Sequence, residues 1–118
     1  MLLLVSLVNN SFQASLNSLE WKYLASVNSL KNRVNISNIE ATEFMCIVQC
    51  NNYVFDIHIF KANLTENTKK YCAGWYQNGT TYGSTRVEAT INSLKVGNFN
   101  VGGTAYEDDR VSLTVYYR

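Results

Sequence analysis

The segment "YVFDIHIF" repeats every second residue: Tyr53, Phe55, Ile57 and Ile59 share one side, with Asp56 and His58 opposite. A period of two fits only an extended strand with one face buried. The same rhythm recurs along residues 20–118. "TRVEATINSL" turns Val87, Ala89 and Ile91 one way and Arg86, Glu88, Thr90 and Asn92 the other. "VSLTVYYR" does the same with Val111, Leu113, Val115 and Tyr117 against Ser112, Thr114, Tyr116 and Arg118. In "EWKYLASV" the alternation puts Trp21, Tyr23 and Ala25 on one side. "TEFMCIVQC" is apolar on both sides, as a central strand covered twice would be.

Between these runs stand turn residues. The chain has no proline, so its turns are built from Asn and Gly. Asn51-Asn52 separates two strand runs and marks a hairpin, and Asn78-Gly79 opens another turn. "KANLTENT" reads as a polar loop and "VGNFNVGGT" as a Gly-rich strand or bulge. Seven or eight short strands at intervals of about ten residues predict an all-β fold, an antiparallel β-sandwich of jelly-roll-like type.

Residues 1–19 differ. Val5, Val8, Phe12 and Leu19, with Leu16 on nearly the same face, form a stripe at helical spacing. The expected organisation is therefore a short helical or coiled-coil stem over 1–19 and a head domain over 20–118. The stripe needs a partner, either its own domain or other copies of the chain. The opening apolar run fits a cleaved signal poorly, having no preceding Lys or Arg and no small-x-small site. No stretch of 18 apolar residues is present, so no membrane insertion is expected.

Composition narrows function. Of the 118 residues only 16% are charged, and the formal net charge is +1, against the basic balance of a nucleic-acid binder. Three Cys make an odd count. Cys46 and Cys50 lie four apart on one strand, about 13 Å, too far to pair. Cys72 has either of them as an option, but the simplest expectation is three reduced thiols. His58 is the sole histidine, and it stands on an outward strand position. Neither a hydrolytic triad nor a zinc site is expected, and no cofactor or metal is predicted. The run Glu107-Asp108-Asp109 reads as a solvated turn, with a cation site as its alternative.

The most ligand-like stretch is "YCAGWYQNGTTYGSTR". Trp75, Tyr76 and Tyr82 offer flat apolar faces, while Gln77, Asn78 and Arg86 offer hydrogen-bonding groups. Saccharides are held by that combination. These six residues are the candidate glycan site, with core or interface packing of Trp75 and one Tyr as the competing assignment. As a binding residue, Trp75 is expected to tolerate replacement by Ala with little loss of stability.

Two stretches resemble a known group. "LNSLEWKYLASV", a helix end running into a Trp-bearing strand, and "GGTAYEDDRVSLTVYYR", a closing strand, resemble C-terminal β-domains of tail-fibre and baseplate-type proteins from phages and prophages of low-GC Gram-positive bacteria. The likeness spans most of residues 17–118. It implies a non-enzymatic receptor-binding head, trimeric through residues 2–19 and the sandwich faces, at a fibre tip of a virion assembled in the host cytoplasm. Its partner would be a bacterial surface carbohydrate or protein. The alternative is a structural or assembly protein of the virion, such as a capsid decoration protein or fibre plug.

Overall fold

A computed structural model describes residues 20–118. The expected helical stem over 1–19 lies outside the described residues. The remainder is all-β: two antiparallel sheets packed face to face as a β-sandwich.

Sheet A has the order β1-β9-β3-β4, from β1 (Lys22–Asn28), β9 (Val111–Tyr117), β3 (Glu43–Cys50) and β4 (Tyr53–Phe60). Sheet B has the order β2-β7-β6-β5, from β2 (Val34–Asn35), β7 (Ser93–Val101), β6 (Thr80–Ala89) and β5 (Lys69–Gln77). The short β8 (Thr104–Ala105) adds to β7. The chain passes from sheet A to B and back through β1, β2 and β3. Yet β3–β4 and β5–β6–β7 are plain hairpin runs within one sheet, so the winding is only in part that of a jelly roll.

Alternation fixes which face meets the core. Phe44, Cys46, Val48 and Cys50 of β3 and Phe55, Ile57 and Ile59 of β4 point inward, opposite Val87, Ala89, Leu94, Val96 and Phe99 of sheet B. All are buried, and Phe55 meets Phe99 edge to face across the gap at 5.6 Å. The closing strand is central: Val111, Leu113 and Val115 are buried, between β1 and β3.

Sequence alternation misplaces three details. In β1 the register shifts between Tyr23 and Ala25, so Leu24 is an extra residue. Ala25 then faces the core beside Val115, while Tyr23 turns outward against Tyr116, 60% exposed. The supposedly polar "KANLTENT" holds a one-turn 3-10 helix, Lys61–Asn63, and drops Leu64 into the core. Val34 and Ile36 of "VNI" are also fully packed, 2% and 0% exposed, in a segment that carries only a two-residue strand.

The hairpin positions are as expected. Asn51 adopts φ 53°, and Asn78 and Gly79 adopt 53° and 77°, the left-handed pair that a two-residue turn requires. Gly102 and Gly103, at 56° and 87°, close the β7–β8 turn in the same way. The registers bring these three turns to one end of the sandwich, together with the β8–β9 loop, which meets β3 through the pairing of Cys50 with Val111. Residue 20 enters at the other end, where Lys22 pairs with Tyr117.

Candidate functional site: the aromatic tip

The turn-bearing end is faced with aromatic rings. Tyr53 follows the Asn51-Asn52 turn and points inward with the rest of its strand side. Trp75 comes from the inward side of β5. The two rings stack at 6.0 Å and 20°. Tyr82 joins them, 4.6 Å from Trp75 and 6.4 Å from Tyr53. A bulge makes this possible. Trp75 pairs with Gly83 and Tyr76 with Thr81, which leaves Tyr82 as the extra residue of β6.

Gly83 is the seat of the indole. A β-carbon there would stand 2.7 Å from the Trp75 ring nitrogen, so no other residue type leaves the ring its place. The adjacent Tyr82 hydroxyl raises the Tyr53 pKa above the ordinary phenol value, and burial and the neighbouring Tyr106 act in the same direction. The result is a packed, partly buried platform.

Its rim is exposed. Tyr76 is 70% exposed, and Gln77, Asn78 and Gly79 continue the β5–β6 turn into solvent. On the facing side Arg110 lies over the Tyr106 ring at 4.9 Å. Asp108 grips Arg110 with both oxygens, Nη2 to Oδ2 at 2.7 Å and Nε to Oδ1 at 2.9 Å. The Arg110 guanidinium holds the Asp108 carboxyl down at about 2. Asp108 is therefore engaged by a cation of its own loop. No group of three metal-binding side chains is assembled among the described residues.

Of the six residues proposed from sequence, five come together here: Trp75 and Tyr82 in the platform, Tyr76, Gln77 and Asn78 on the rim. Arg86 does not. It lies four residues from Tyr82, about 13 Å along the strand, on the outer face of sheet B in an ion pair with Glu88 at 3.2 Å. Trp75 is only half-buried yet packs against the core, so its replacement by Ala will cost stability, contrary to the expectation from sequence. Tyr53, Tyr106 and Arg110 were not singled out by sequence. Their signal was positional, since each lies within three residues of a turn or of the acidic loop.

His58 sits elsewhere, on the outer face of sheet A. Its ring meets the edge of Trp21 at 5.6 Å and lies 3.3 Å from Asp56 and 3.8 Å from Glu43. The three thiols are free. Cys46 and Cys50 face the core, whereas Cys72 is exposed on the outer side of β5, so pairing would require a strand to turn over. Burial pushes the Cys46 thiol up to about 12.

Comparison of the chain with protein-family models, with curated proteins and with solved structures gave no match.

Proposed function

We propose that this protein is a non-enzymatic recognition module that binds a bacterial surface carbohydrate or protein through the aromatic tip, as the receptor-binding head of a phage-type fibre. One observation carries the reading. Tyr76 is 70% exposed and is flanked by the amides of Gln77 and Asn78, on a turn anchored by packed rings. A saccharide needs an apolar plane for its C–H face and fixed amides for its hydroxyls. Pre-organised loops lower the ordering cost of holding it. A binding assay of the chain on a glycan array and on Gram-positive cell walls tests this. Saturable retention supports recognition, and a well-folded chain that is retained by neither overturns it.

A different surface supports assembly. Three large apolar side chains on the outer face of sheet A are exposed: Tyr23 at 60%, Val54 at 56% and Phe60 at 53%. We read this face as the contact between copies of the chain in a trimer. Trp21, near the start of the described residues, lies on the same face against His58 and Arg118. Three weak tips on one assembly bind by avidity without new contacts. Light scattering of the full chain is expected to give the trimer mass; a monomer at micromolar concentration contradicts this part. In the alternative, the trimer packs on another virion protein and the module serves assembly; a stable trimer that ignores cell walls favours it.

A further inference from the structure

The outer face of sheet B carries a row of charge that neither the core nor the tip uses. Register places Lys70 opposite Glu88, and Glu88 opposite Lys95. Val34 pairs with Leu94, which brings Arg33, one residue earlier, opposite Lys95. Arg86 on the same strand as Glu88 reaches it with Nε 3.2 Å from Oε1, and Lys95 Nζ lies 3.8 Å from Oε2. One carboxylate thus stands among four cations. The rest of the chain holds the other six basic and eight acidic residues, so the excess positive charge is local to this face. Among the described residues, no carboxylate lies within ion-pair distance of Arg33 or Lys70.

The row encloses a hollow. Arg33, Thr68, Glu88, Thr90, Ser93 and Lys95 line a space of about 60 Å³, room for roughly two waters at about 30 Å³ each. Its walls are fixed. The Thr90 hydroxyl accepts the amides of Asn92 and Ser93, each at 3.2 Å. The Arg86–Glu88 pair lies flat over Gly97, the extra residue of a second bulge. A β-carbon at Gly97 would stand 2.6 Å from Glu88 Oε1 and 2.7 Å from Arg86 Nε. Glu88 lines the hollow with one oxygen on Arg86 and the other 3.8 Å from Lys95 Nζ. Arg33, which has no carboxylate within ion-pair distance among the described residues, and Lys95, which shares Glu88 with Arg86, therefore face the hollow with hydroxyl groups beside them. Convergent cations and hydroxyls at a concave polar site match a small oxyanion.

We propose that this hollow is an oxyanion-binding site, separate from the aromatic tip, that takes the phosphate or carboxylate of an acidic saccharide. It does not depend on the tip reading, and it is tested without a cell wall. Inorganic phosphate, glucose 1-phosphate and glucuronate are titrated into the full chain at constant ionic strength, with backbone amide shifts followed by NMR. Shifts confined to Thr68, Thr90, Ser93 and Lys95 are expected. Arg33→Ala and Lys95→Ala are each expected to weaken binding about tenfold or more, as loss of a charged hydrogen bond does, whereas Lys31→Ala, outside the hollow, leaves it unchanged. Tighter binding of glucose 1-phosphate than of glucuronate assigns phosphate as the group, and the reverse assigns carboxylate; either supports the site. Shifts spread evenly over all basic residues, or binding that survives in both variants while they melt like the wild type, overturn it. So does a single-stranded oligonucleotide that binds this face more tightly than the sugar phosphate.

Discussion

Replacing Trp75 with Ala separates packing from recognition at the tip. The indole is half-buried, stacked on Tyr53 at 6.0 Å and on Tyr82 at 4.6 Å. Removing a fully buried Trp costs about 3–5 kcal/mol. Half of that burial, with the two ring contacts included, gives about 2–3 kcal/mol. For a domain of this size each kcal/mol moves the melting temperature by about 4–8 °C, so the fall should be roughly 10–20 °C. Circular dichroism melts of wild type and Trp75→Ala measure it. Tyr76→Ala, one residue along and 70% exposed, is the internal control and should stay within about 0.5 kcal/mol of wild type. A Trp75→Ala variant that melts within about 3 °C of wild type refutes the packing argument, because the ring would then be contributing little to the core.

Three other outcomes are expected. A thiol reagent at pH 8 should modify one cysteine quickly, Cys72, with Cys46 and Cys50 reacting only on unfolding, since both are buried and Cys46 is held up at about 12; mass spectrometry of the labelled chain counts them. Arg118→Ala should destabilise by about 1–2 kcal/mol, less than for a wholly buried pair because Arg118 is partly exposed; Glu43, 7% exposed, loses its 2.5 Å partner, and urea unfolding compared with a Glu43→Gln/Arg118→Ala double variant isolates the pair. The Asp108 carboxyl is depressed from 3.8 to about 2 by Arg110. Its contribution to stability is therefore fully present above pH 3.8 and is lost as pH falls towards 2; the difference in urea midpoint between wild type and Asp108→Asn should shrink across that window and stay flat above it.

Alternation made most of the sandwich legible because burial has a strict period in strands. The inward sides of β4, β6 and β9 were readable residue by residue, and the Asn-Asn and Asn-Gly turns were readable from their backbone chemistry. β3, apolar on both sides, read as a strand covered twice, but only Phe44, Cys46, Val48 and Cys50 face the core. Bulges were not. An extra residue at Leu24 or Tyr82 leaves no mark in composition, yet each reverses the facing of its neighbours. The short β2 was missed because two residues cannot display a period, although Val34 and Ile36 are among the best-packed side chains. At the site, contiguity in sequence gathered Trp75, Tyr76, Gln77, Asn78 and Tyr82 correctly. It also drew in Arg86, which a strand carries away from the tip. Tyr53 and Tyr106 reach the cluster from the other sheet and from the β8–β9 loop, and long-range register of that kind is set by the whole fold.

Recognition through the rim of the tip is the central claim, and retention on Gram-positive cell walls by Tyr76→Ala tests it most directly, with Glu66→Ala as an exposed change away from both the tip and the outer face of sheet A. The expected result is a loss of retention of about tenfold or more for Tyr76→Ala, as for an aromatic anchor, with both variants melting like the wild type. Undiminished retention by Tyr76→Ala, or an equal loss in both variants, would contradict it.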